Sequence, residues 1–145
     1  MVVMNAAYAG AAFPAGLAAD HFSRRALLAI GLAILVAADL VFAAAATPLH
    51  VFVGAALWGL HMGFTQGLLS AIVADAAPPI LRGTAFGIFN LVGGASLLLA
   101  SVIAGALWSA LGASATFIAG AAFAAVAGVS LFVQRKGGSE AWFVK

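Results

Sequence analysis

"GLAADHFSRRALL" occupies residues 16–28 and sets an acid, a histidine and two adjacent arginines (Asp20, His21, Arg24, Arg25) between two stretches that carry almost no charge. On each side the apolar run continues for about 20 residues, enough to cross ~30 Å of hydrocarbon at ~1.5 Å per residue. The stretch therefore reads as a polar turn joining two membrane-spanning helices.

Composition supports that reading. The chain is 66% hydrophobic and 7% charged, with a mean hydropathy of +1.20. A soluble domain carries about 25% charged residues to solvate its surface, so lipid is the expected solvent here. The pI of 9.7 rests on six basic side chains and a net charge of +2. No basic stripe interleaved with aromatics accompanies them, so no nucleic-acid partner is expected. Cysteine is absent, which excludes disulfides, thiolate metal sites and cysteine nucleophiles. The first nineteen residues hold no Lys or Arg. A secretory signal would open with basic residues, so this run reads as a span.

Five spans follow, at roughly 1–19, 26–46, 51–75, 84–108 and 114–133, with residues 134–145 as a short polar tail. They read as helices, because lipid offers no partner to the edges of open strands. Pro48, Pro78 and Pro79 fall between spans, where helices are expected to stop. Pro14 lies inside the first span and is expected to bend it. Arg24–Arg25, Arg82 and the tail residues Arg135, Lys136 and Lys145 all fall on one side if the spans alternate, while the other side has no Lys or Arg. Positive loops stay cytoplasmic. The expectation is a multi-pass protein of the cell (inner) membrane, N-terminus outside and C-terminus inside.

The order of charges in the turn is locally unfavourable. Asp20 closes one helix and Arg24–Arg25 open the next, each against its helix dipole. A tertiary partner is needed to explain it. Within the spans, Asp39, His61, Gln66 and Asn90 stand out, since an ionisable group near the bilayer centre costs about 2.5–3.5 kcal/mol. Asp39 and His61 fall at similar depths on adjacent spans, so a charge-assisted bond between them is one expectation. Gly59, Gly63 and Gly67 recur every four residues on the third span, Gly120, Ala124 and Gly128 on the fifth, and Gly83 with Gly87 begins the fourth. Such ridges let helix backbones approach closely in lipid. His21, His50 and His61 lie at three different depths, so they share no metal. No Ser/His/Asp set falls at one depth and no phosphate-binding glycine loop precedes a helix. Neither an enzyme nor a cofactor site is expected.

Gly16, Asp20, Arg24 and Arg25 resemble the Gly-x-x-x-Asp-x-x-Gly-Arg-Lys/Arg loop signature of the major facilitator superfamily. His21 stands where Arg is usual, and Ser23 where Gly is usual. The stretch "VADAAPPILRGTAFGIFNLVGG" (73–94) is similar to the end of helix ten, its loop and helix eleven of that family. The resemblance implies that the five spans are helices eight to twelve of a twelve-helix bundle. It implies a charge cluster of Asp20, Arg24, Arg25, Asp75 and Arg82 that latches one side during alternating access. His61, Gln66 and Asn90 would line a substrate or proton pathway, and Asp39, on a helix outside the cavity, would be structural.

The fold class expected is thus all-α and integral to the membrane, part of a major-facilitator-type bundle. The function expected is secondary transport of a small solute, with protons as a candidate coupling ion. The chain opens inside a span and has one span fewer than a complete half, so the expectation is a fragment whose partner is a missing N-terminal half. A small self-associating membrane subunit or scaffold, or a truncated chain without function, is the alternative.

Overall fold

A computed structural model describes residues 1–133, and at Asp20 the backbone only. The tail with Arg135, Lys136 and Lys145, and the Asp20 side chain, lie outside the described residues.

Four helices account for nearly all of the described chain: α1 Val2–His21, α2 Arg24–Ala43, α3 Pro48–Ala76 and α4 Arg82–Val133. Each is long and apolar enough to cross a membrane. Local sequence sets the ends. The Ser23 hydroxyl accepts the Ala26 N–H at 3.3 Å and caps α2. Pro48 takes the first helical position of α3, where its missing N–H costs nothing. Pro78 is extended and hands over to a single 3-10 turn, Pro79–Leu81. α1 continues through Pro14 without ending.

The fourth and fifth expected spans form one element, α4, broken at Gly112 (φ 85°, ψ 177°). A straight helix of 52 residues would be about 78 Å long, more than twice the hydrocarbon thickness. Instead the arms 82–111 and 113–133 fold back on each other. Ser96 and Phe123 line one cleft, although ~40 Å would separate them along an unbroken helix. Trp108 meets Phe117 edge-on across the bend, at 6.1 Å between centroids. A backbone at positive φ with ψ near 180° is almost confined to glycine, so Gly112 makes the reversal within one residue.

α3 lies between α1 and α2. It runs parallel to α1, with Gly59 against Met4, Ala7 and Tyr8 and Gly63 against Ala11. It runs antiparallel to α2, with Gly31 against Thr65 and Gly54 against Phe42. A step of eleven on one helix matches a step of eleven on the other. Eleven residues are close to three whole turns, so both contacts stay on one face. The second arm of α4 packs antiparallel on α2, where Gly120 meets Asp39 and Gly128 meets Leu32. Phe42 stacks on Phe117 at 4.9 Å. The first arm is exposed along almost its whole length.

Two of the three glycines of the α3 ridge make the close contacts expected of them. A Cβ on Gly59 would run into the Met4 carbonyl, and one on Gly63 would come within 2.6 Å of Ala11. At Gly67, Gly83 and Gly87 an added Cβ would meet nothing within 4 Å. The ridge contact therefore ends at Gly63, and the expected packing role of those three is not realised among the described residues.

Candidate functional site: the charged end of α3

Charged groups from three elements meet where α3 ends. Arg24, the first residue of α2, donates from a guanidinium nitrogen to Asp75 Oδ2 at 2.5 Å. Asp75 lies one residue from the end of α3. Arg82 Nε donates to the Ala74 carbonyl at 3.1 Å, satisfying one of the acceptors that a helix C-terminus leaves open. Arg24 at a helix start and Asp75 at a helix end each oppose their own dipole. Pairing them offsets both penalties and supplies the tertiary partner that the turn sequence requires.

The Arg24 and Asp75 side chains are 30% and 59% exposed. Pairs as open as this contribute about 0–1 kcal/mol, so the bond is easily broken. It ties the α1–α2 turn to the far end of α3 without fixing the fold. Beside it, a groove of about 370 Å³ runs between α1, α2 and α3, with Arg24 at one end, Tyr8 toward the other, and Gly16, Gly63 and Gly67 on its walls.

His61 lies deeper, on α3. Its Nδ1 is 2.8 Å from the Gly31 carbonyl oxygen. A carbonyl only accepts, so Nδ1–H donates and Nε2 is left for another partner. The expected Asp39–His61 bond is therefore absent. Gly31 and Ala38, seven residues apart, share the α2 face turned to α3. Leu32 and Asp39 share the next face, turned to the second arm of α4. Asp39 also lies eight residues beyond Gly31, about 12 Å along the axis. Neither the equal depth nor the shared face expected of the two residues is found.

Asp39 is buried, at 8% exposure, with Oδ2 placed 2.8 Å from where a Gly120 Cβ would stand. Gln66 and Asn90 are exposed. Gln66 is about 140° around α3 from His61, so the structure does not gather His61, Gln66 and Asn90 into one pocket. Sequence reading missed Gly31 and Gly54. Their signal was weak, since each is a lone glycine in an apolar helix rather than part of a four-residue repeat.

The fold is that of a multi-pass helical membrane protein. The family model of the Major Facilitator Superfamily matches residues 1–141. An uncharacterised MFS-type transporter of Methanocaldococcus jannaschii is 32% identical over 130 residues, which cover 90% of this chain and 32% of the relative. The chain belongs to the major facilitator superfamily. It spans about a third of the length of the curated relative it matches. No solved structure matches it.

Proposed function

We propose that the chain works as part of a larger secondary transporter, carrying a small solute by alternating access in the cell (inner) membrane. One observation carries this reading within the family: Gln66 and Asn90 are polar, lie within spans, and stand uncovered. Polar groups at hydrocarbon depth are costly unless they face protein or a water-filled cavity. Further helices bordering an aqueous cavity would give both side chains their partners, and major-facilitator cavities form at the midplane between two repeats. The length of the archaeal relative leaves room for those helices.

In this reading Arg24, Asp75 and Arg82, with Gly16, Asp20 and Arg25 of the same turn, form a latch on the cytoplasmic side. A bond worth about 1 kcal/mol or less suits a contact that opens and closes in each cycle.

The test uses the absence of cysteine. Gln66→Cys and Asn90→Cys are introduced singly and treated in native membranes with a water-soluble maleimide. Thiolates form only where water reaches, so both positions are expected to label. Protection of both, as in lipid, would overturn the reading.

A further inference from the structure

We propose that the half of α1 beyond Pro14 is a strap that closes onto α3 at Gly67, and that the Arg24–Asp75 pair holds it open in the conformation seen. Three observations converge. The first is an interrupted contact. An added Cβ would run into the Met4 carbonyl at Gly59 and into Ala11 at Gly63, yet at Gly67, one turn further along α3, it would meet nothing within 4 Å. The second is the groove of about 370 Å³ that opens there, with small residues on both walls: Ala15, Gly16 and Ala19 on α1, Gly67 and Ala71 on α3. The third is a hinge. Pro14 lies inside α1 and has no N–H to donate to the Gly10 carbonyl, so the helix can bend between its two halves.

In lipid, helices associate through van der Waals packing, and small residues allow the closest approach. An unfilled groove forfeits those contacts. Because α1 and α3 run parallel, the register that sets Ala11 against Gly63 brings Ala15 level with Gly67 and Ala19 level with Ala71. Closure would thus repeat at Gly67 the packing already made at Gly59 and Gly63, and none of the five wall residues carries more than a methyl group.

What opposes closure stands at the groove's end. Arg24 lines it and is tethered to α1 through Phe22 and Ser23 alone, both extended. Closure narrows the space that Arg24 occupies and moves its tether, while Asp75 holds its guanidinium in place. The pair and the closed strap therefore compete. A pair this exposed is weak, so it restrains the strap without locking it. The device involves only α1, its turn and α3, and it stands or falls apart from the solute-carrying role.

The chain has no cysteine, so Ala19→Cys and Ala71→Cys are introduced together in the full chain and oxidised in native membranes. A disulfide needs Cβ atoms about 4 Å apart, so its rate of formation reads the closed form. Adding Asp75→Asn is expected to speed it by up to about fivefold. Adding Gly67→Leu, whose side chain fills the groove, is expected to stop it. Pro14→Ala removes the hinge and leaves every groove residue in place. It is expected to slow the reaction, and it gives the same reading if Gly67→Leu fails to insert. Crosslinking that Gly67→Leu or Pro14→Ala leaves unchanged would overturn the proposal. So would crosslinking that Asp75→Asn leaves unchanged or slows, or the absence of a disulfide in every variant.

Discussion

Arg24 and Asp75 are 51 residues apart in sequence and 2.5 Å apart in space, joining the start of α2 to the end of α3. Each charge stands at the wrong end of its own helix dipole, and each is made tolerable by the other. If this pair is a latch, its loss should change conformation more than stability. Asp75→Asn and Arg24→Gln should each cost no more than about 1 kcal/mol in unfolding of the purified protein. Each should shift the balance of conformers by up to about fivefold, the factor that about 1 kcal/mol corresponds to, read as altered maleimide labelling of a cysteine at position 66. Exchanging the charges, Arg24→Asp with Asp75→Arg, should restore the wild-type labelling. A labelling pattern indifferent to all three variants would remove the latch.

Gly59 and Gly67 have the same neighbours in sequence pattern and opposite surroundings in space. Gly59→Ala puts a methyl group into the Met4 carbonyl, which is backbone and cannot swing aside. It should destabilise the α1–α3 contact by about 1–3 kcal/mol. Gly67→Ala enters open space and should be neutral or slightly stabilising, since alanine favours helix over glycine by about 0.5–1 kcal/mol. Thermal unfolding in detergent separates the two. Equal Tm values would mean that α1 does not pack on α3 as described.

Gly112 makes the reversal between the arms of α4 at φ 85°. Gly112→Ala should cost about 1–3 kcal/mol. Gly112→Pro, fixed near −65°, should prevent the arms from closing. A crosslink between cysteines placed at Ala104 and Ala119, which line the same cleft, should form readily in the wild-type background, weakly with Ala at 112 and not at all with Pro. Undiminished crosslinking in the proline variant would contradict the bend.

Arg24, Arg25 and Arg82 define the cytoplasmic side in the proposed topology. A green fluorescent protein fused after Lys145 should fluoresce, and alkaline phosphatase fused in the Thr47 turn should be active. The reverse pattern would invert the protein and move the latch to the outer face.

The sequence disclosed the spans well, and the faces and the register between helices poorly. Charges and prolines marked the turn after α1 and the turn after α3, while α2 ends at Ala43 and the first arm of α4 at Gly112 with neither. The turn at 20–25 announced a tertiary need that Asp75 meets. That Asp75 was the partner came from the family likeness, not from spacing. The facing of each helix was hidden because these helices are apolar nearly all round, so periodicity carries no signal about which stripe is covered. Asp39 and His61 show the consequence: the expected bond fails because Asp39 lies on the stripe turned to α4 and eight residues beyond Gly31, the residue that His61 bonds. Gly112 could be placed between two spans, but only its backbone angles show that one residue makes the turn.

The size of the native protein tests most directly whether this chain is part of a larger transporter. With a tag at the C-terminus at its own locus, membranes should give a band about three times this chain's 14.4 kDa, as the 32% coverage of the archaeal relative implies. A band at 14.4 kDa, with no partner retained on mild solubilisation, would contradict it and favour a short self-associating membrane protein.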